Sequence, residues 1–226
     1  MADVEEAERA RRAARHRALG DVHRLAIVDA LRHTDLAPSE LSEATGLASN
    51  LVAFHLNTLE DAGVVVRTAS QGDGRRRYVR LVPGLPVEPS GRALTAERVL
   101  FVCTRNASRS QLGAALWTAR TGRPASSVGR EPASAVDPLT VAVAREHGLD
   151  LSGAVPHGYD AVTETPDLVI TVCDRAGEAQ LPVRGVPRLH WSVPDPVGGS
   201  RADVEAAHRD LELRIHALVA GGGVAA

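Results

Sequence analysis

Residues 99–117 read VLFVCTRNASRSQLGAALW. The opening run, Val99 to Val102, is unbroken and apolar, the pattern of a strand buried on both faces in a parallel sheet. From Ser110 the chain places Leu112, Ala115 and Leu116 at helical spacing. Between strand and helix lie Cys103 and five small or polar residues. Cys103 alone could be a core thiol, a metal ligand, a redox centre or a nucleophile. A strand end, a tight loop and a helix N-terminus at Arg109 and Ser110 together make an anion cradle of backbone N–H groups, residues 104–109. The helix dipole and Arg109 favour the thiolate of Cys103, which is the nucleophilic form. Arg109 offers a bidentate fork to a tetrahedral oxyanion, and Asn106 tolerates the left-handed backbone such a loop uses.

Downstream, strand and helix patterns alternate: ASSVG, then DPLTVAVAREHGLD, then PDLVITVC, VPRLHW and a closing helix from Ser200. This predicts an α/β domain over 98–226, a four-stranded parallel sheet flanked by helices, with ligands bound at the carboxyl ends of the strands. Cys103 and Cys173 both fall at such ends. A thiolate attacking a tetrahedral centre needs an acid for the departing oxygen, and Asp195 in HWSVPDPVGG is the candidate. Trp117 and Trp191 read as core.

Upstream, LVPGLPVEPSGRALTAER carries Pro83, Pro86 and Pro89, a linker composition over 83–97. Residues 1–82 read as a mostly α domain. DVEEAERARRAARHRAL runs from acids to arginines, as a helix dipole prefers. A second helix, capped by Asp21, turns Val22, Leu25, Ala26, Val28 and Leu31 inward. Two further helices meet at Gly46, the later one with Leu51, Val52, Leu56 and Leu59 inward, a helix-turn-helix pattern. Two β-rich runs joined by QGDG then form a hairpin, completing a winged helix.

Composition excludes little and points to a folded protein. The 226 residues are 44% hydrophobic and 24% charged, with net charge −2, too little positive charge for indiscriminate nucleic-acid coating. Every basic residue counted as Lys or Arg is arginine. No apolar run is long enough to span a bilayer and no secretory signal opens the chain, so a cytoplasmic location and no membrane partner are expected. Two cysteines make neither a disulfide framework nor a zinc spacing, and no metal or bound cofactor is expected.

The segments ALGDVHRLAIVDAL and LVAFHLNTLEDAGVV resemble the ArsR family of bacterial repressors over about Ala18 to Leu81. The resemblance implies a homodimer on operator DNA, with one recognition helix per subunit in the major groove. The residues free to face bases are Ser49, Asn50 and Ala53, with His55 and Asn57, while Arg75, Arg76 and Arg77 meet phosphates. Members that sense arsenite use clustered cysteines, which this half lacks; it has only His16, His23, His33 and His55.

VLFVCTRNASRSQ, SVGREPASAVDPL, EHGLDLSG, LVITVCD and HWSVPDP resemble the low-molecular-weight tyrosine phosphatase superfamily and, within it, thiol-linked arsenate reductases. That implies Cys103 as nucleophile, with Thr104, Arg105, Asn106, Ala107, Ser108 and Arg109 around the oxyanion. It further implies Ser110 as thiolate stabiliser, Asp195 as acid and Cys173 as resolving thiol. Arg105 stands where the family usually has glycine, predicting a strained loop or extra positive charge at its mouth. Ser108 stands where many members have a second cysteine. Val197 after Asp195-Pro196 favours the reductases over the phosphatases, whose motif has tyrosine there. Gln180 replaces an outer cysteine, so the implied reductant is a low-molecular-weight thiol. The expected function is a DNA-binding regulator fused to an arsenate reductase. A phosphotyrosine or phosphoester hydrolase, and a repressor that only senses an oxyanion, are the alternatives.

Overall fold

A computed structural model describes residues 2–83, 85, 96–181 and 183–220. The chain divides into two compact units, Met1–Ser70 with Gly74–Gly91, and Gln71–Asp73 with Arg92–Ala226. Most of the expected linker, residues 84 and 86–95, lies outside the described residues.

The first unit contains α1 (Ala2–Leu19), α2 (Val22–Ala30), α3 (Pro38–Thr45), α4 (Ser49–Asp61), β1 (Val65–Ala69) and β2 (Arg77–Leu81). Asp21 starts α2: its backbone is extended and its carboxylate accepts the N–H groups of His23 and Arg24, both at 3.0 Å. The strands pair antiparallel from Val65 opposite Leu81 to Ala69 opposite Arg77. Leu36 adds a bridge to Val79 on the hairpin's free edge. Ile27, Val28, Leu31, Leu41, Val52, Leu56, Leu59, Val65 and Val79 form the core.

Three inward assignments are corrected. Val22, Leu25 and Leu51 are exposed, and Ile27 is fully buried instead. The inward arc of α2 is centred on Ile27, Val28 and Leu31. At about 100° per residue, Val22 falls on the opposite side and Leu25 on the margin. In α4 the arc is centred between Val52, Leu56 and Leu59, and Leu51 flanks it.

The second unit contains β3 (Val99–Cys103), α5 (Arg109–Thr121), β4 (Ala125–Gly129), α6 (Pro138–Glu146), β5 (Leu168–Thr171), α7 (Asp174–Gly177), β6 (Arg188–His190) and α8 (Arg201–Leu218). The four strands are parallel in the order β4-β3-β5-β6. All five residues of β3 are buried, the signature of a strand covered on both faces. Because β3 is flanked by β4 on one side and β5 on the other, its carboxyl end lies at the switch in strand order, where open α/β sheets bind ligands. The helix α8 packs on α5 and α6 and buries Val204, Ala207, Leu211, Ile215 and Leu218. Trp117 and Trp191 are core residues, the latter 6.2 Å from the ring of Phe101. Among the described residues, no helix is long and apolar enough to cross a membrane.

Close packing of α5 on β3 requires Gly113, since a Cβ there would meet Phe101 Cδ1 at 2.6 Å. Phe101 is fully buried and cannot step aside freely. Gly113→Ala should therefore destabilise the second unit by about 1–3 kcal/mol, read as a lower denaturation midpoint with the first unit's transition unchanged.

Candidate active site

The chain turns sharply after Cys103. Asn106 takes a left-handed backbone, φ 50°, whereas Arg105 does not, so the strain expected at Arg105 is absent. Arg105 is exposed at the loop's outer edge. The turn brings the Asn106 N–H to 3.0 Å from Cys103 Sγ, and Ser110 Oγ lies 3.1 Å from the same sulfur. Asn106 Nδ2 donates to Ser110 Oγ at 2.8 Å, which directs the hydroxyl's own proton towards the sulfur.

Asn106 is fully buried and its amide is fully used. Its Nδ2 also donates to Ser127 Oγ at 2.9 Å, and its Oδ1 accepts from His157 N at 2.7 Å and Gln111 Nε2 at 3.0 Å. One side chain thus ties the loop to β4, to α5 and to the segment before the 3-10 turn at Tyr159–Ala161.

The loop carbonyls face away from the cradle. Thr104 O accepts from Glu131 N at 2.8 Å, Arg105 O from Ala133 N at 2.9 Å and Ala107 O from Asp137 N at 2.8 Å. Asn106 O accepts from Gln111 Nε2 at 3.2 Å, and Ser108 O from Leu112 N at 2.9 Å. With these carbonyls bonded outward, the loop N–H groups other than that of Asn106, which points at the Cys103 sulfur, are left for an anion. Ser108 is buried and accepts from Thr140 Oγ1 at 2.8 Å, and Asp137 caps α6 through Thr140 N at 2.9 Å.

Arg109 begins α5 and is nearly buried. Its guanidinium donates to Val193 O at 2.8 Å and pairs with Asp195 Oδ2 at 2.9 Å, so the fork and the carboxylate share one place. The Asp195 carboxylate stays 42% exposed, open to a substrate.

Cys173 lies on the other side of the loop, buried, with Thr104 Oγ1 3.4 Å from its sulfur. Burial pushes its thiol above the ordinary value, the Arg109 charge opposes this, and charge on Cys103 adds to the rise. Behind it, Asp174 Oδ1 lies 3.3 Å from His190 Nε2, and Thr171 Oγ1 lies 2.9 Å from His190 Nδ1.

Cys103, Arg109, Ser110, Asn106, Asp195 and Cys173 therefore meet at one place. Sequence reasoning missed the outer ring, Gln111, Ser127, Gly129, Asp137, Thr140 and His157. Only Asp137, followed by proline and three residues before Thr140, carried a local signal, that of a helix cap. Tyr159 was missed too. Its hydroxyl is buried without a partner among the described residues, and burial followed by the Cys173 charge pushes it up.

In the first unit, Ser49, Asn50, Ala53 and Asn57 are exposed on α4. His55 is not, a correction to its place among base-facing residues. Only 6% exposed, it faces inward with Nδ1 4.0 Å from Asp21 Oδ1, because it shares the inward arc with Val52, Leu56 and Leu59. Arg75 and Arg77 are exposed, but Arg76 is drawn inward to Glu40 and over the Tyr78 ring, 5.0 Å from its centroid.

Residues 98–222, more than half of the chain, match the low molecular weight phosphotyrosine protein phosphatase family. The chain belongs to that family. Residues 19–68 match a helix-turn-helix domain, so a DNA-binding module is fused to the phosphatase fold. A glutaredoxin arsenate reductase from Synechocystis sp. is 30% identical over 130 residues, spanning 55% of this chain and 97% of that protein. An arsenate reductase from Archaeoglobus fulgidus is 31% identical, over 54% of this chain and 98% of that one, with TM-score 0.48. A tyrosine phosphatase from Erwinia amylovora is 27% identical, over 59% and 97%, with TM-score 0.47.

A Cβ on Gly129 would sit 2.7 Å from Asn106 N and 2.8 Å from Thr104 O, both backbone atoms, so the cradle itself must shift. Gly129→Ala should weaken phosphate binding by at least about tenfold in calorimetric titration, since shifts near 1 Å in such sites are costly. For Cys173, the thiolate forms only above its raised value. In a Cys103→Ser background its alkylation rate should keep climbing with pH beyond the ordinary thiol range; a plateau near pH 8.5, about the unperturbed value, contradicts this.

Proposed function

We propose that this chain is a homodimeric DNA-binding regulator whose second unit reduces arsenate, with a low-molecular-weight thiol as co-substrate. The observation that carries the reading is the second thiol, Cys173, set against the loop that holds Cys103. Hydrolysis of an ester needs one sulfur, whereas reduction of arsenate to arsenite needs two electrons, one from each of two thiols. The resemblance to a glutaredoxin arsenate reductase across almost the whole of that protein supports the same choice.

In this reading the arsenate oxygens sit on the loop N–H groups and the Arg109 fork. The thiolate of Cys103 attacks arsenic and forms an S–As bond, while Asp195 protonates the departing oxygen, which leaves as water. Ser110 and the Asn106 N–H hold the sulfur before attack. A second thiolate then attacks the Cys103 sulfur, forming an S–S bond. The S–As pair passes to arsenic, which is released as arsenite. With Cys173 as that thiolate, the product is a Cys103–Cys173 disulfide, and two equivalents of the external thiol restore both cysteines. Overall, arsenate and two thiols give arsenite, a disulfide and water.

A second reading, phosphoester hydrolysis, is favoured by the family itself and uses Cys103, Arg109 and Asp195 in the same places. The deciding assay is arsenite release from arsenate by the full-length protein with small thiols, beside hydrolysis of an aryl phosphate. Release should fall to background in Cys103→Ser and at least about tenfold in Cys173→Ser. Aryl phosphate turnover without arsenite release would establish the hydrolase instead. Binding of arsenate without either turnover would leave an oxyanion sensor.

A further inference from the structure

The outward face of α4 in the first unit carries an aromatic side chain that the reading above leaves without a task. At about 100° per residue, Ser49, Asn50, Ala53, Phe54 and Asn57 lie within one arc of the helix, on its first three turns. Glu60 and Asp61 continue that arc at the carboxyl end, where they would oppose phosphates. The usable face is thus the amino-terminal part, the part by which recognition helices reach base edges.

Phe54 is 62% exposed, whereas Phe101, the other phenylalanine of the chain, is fully buried. Its ring stands edge-on to the imidazole of His55, with centroids 5.4 Å apart. His55 is itself buried and 5.6 Å from the ring of His23 on α2, so Phe54 projects from a supported base. The side-chain amide of Asn50 makes no hydrogen bond to a described residue, leaving both of its halves for a ligand. Asn57 already accepts from Arg67 at 2.7 Å, which occupies the oxygen it would need for a bidentate contact.

The chemistry of this face is selective. Guanine is read in the major groove mainly by Arg or Lys, adenine by the amide of Asn or Gln, and the thymine C5-methyl by apolar side chains. Helix α4 has neither Arg nor Lys. Resting on the DNA-binding reading of this unit, we propose that Phe54 is a base-reading residue: it packs on thymine methyl groups in the major groove beside Asn50 on adenine, and so selects A·T pairs at the centre of each half-site. Arg75 and Arg77 of the hairpin are exposed for phosphates, which position the helix without reading sequence.

The test uses the full-length protein and a DNA duplex library randomised over about 30 base pairs, more than one helical turn per half-site. Bound duplexes should be enriched in adjacent A·T pairs. In the enriched duplex each thymine is then replaced by uracil, which removes only the methyl group, and affinity is read by fluorescence anisotropy at one salt concentration. At the step facing Phe54, uracil should weaken binding about fourfold per methyl group lost. Phe54→Ala should bind more weakly and no longer distinguish thymine from uracil, while Phe54→Leu keeps part of the discrimination. Circular dichroism verifies that both variants remain folded. Wild-type binding that ignores uracil at every position, or discrimination that survives in Phe54→Ala, overturns the proposal. So does a Phe54→Ala variant that reads thymine normally but changes oligomeric state in light scattering, which would give the face to a protein partner. If no duplex is retained by the wild type at all, the DNA-binding reading fails, a result distinct from binding without methyl recognition.

Discussion

The outward bonding of the carbonyls between β3 and α5 is the constraint on which the second unit's chemistry depends. A trans peptide unit points its C=O and its N–H in opposite directions, so a loop whose carbonyls are claimed from outside presents N–H groups within. Glu131, Ala133 and Asp137 claim three of them through backbone N–H groups, and Gln111 claims a fourth. This explains why the segment after β4 runs alongside the loop and why Gly129 stands at the crossing, where a Cβ would meet two backbone atoms of the loop. Asn106 closes the arrangement by spending all four hydrogen-bonding positions of its amide on holding it. The site is therefore organised before any anion arrives, which is the condition for electrostatic stabilisation without reorganisation.

Much of this was legible in the sequence for a simple reason: strand, loop and helix are contiguous, so Cys103, Arg109 and Ser110 carry their geometry in their spacing. The sheet was legible because the unbroken apolar run of β3 belongs to a parallel core. The outer ring was not, because His157 acts through its backbone and Ser127, Gly129 and Thr140 through proximity created by the fold. A backbone N–H leaves no trace in residue identity. Local periodicity also misled where an amphipathic arc is narrow. Leu51 and Leu25 sit at the margin of their arcs, and a one-position error in phase turned them inward. His55 shows the converse: a polar residue on the inward arc reads as surface until its neighbours Val52, Leu56 and Leu59 are seen around it.

The same comparison separates the two cysteines. Both end β-strands or follow them closely, and both are buried. Their surroundings differ. The sulfur of Cys103 has a backbone N–H and a directed hydroxyl. Cys173 has Thr104 Oγ1 within reach and a thiol pushed up by burial. One is prepared as a nucleophile and the other is held as a thiol, an order that suits a reaction in which the second sulfur must wait for the first.

The pairing of Arg109 with Asp195 then acquires a meaning within the proposed reaction. The guanidinium is shared between Val193 O and the Asp195 carboxylate. An oxyanion that takes the fork separates this carboxylate from its partner and places like charges side by side. The acid assigned to the departing oxygen thus stands beside the anion it would serve. In the proposed reaction the oxyanion and the acid therefore compete for a single arginine. The near burial of Arg109 keeps that competition strong, while Asp195 stays partly exposed to an incoming substrate.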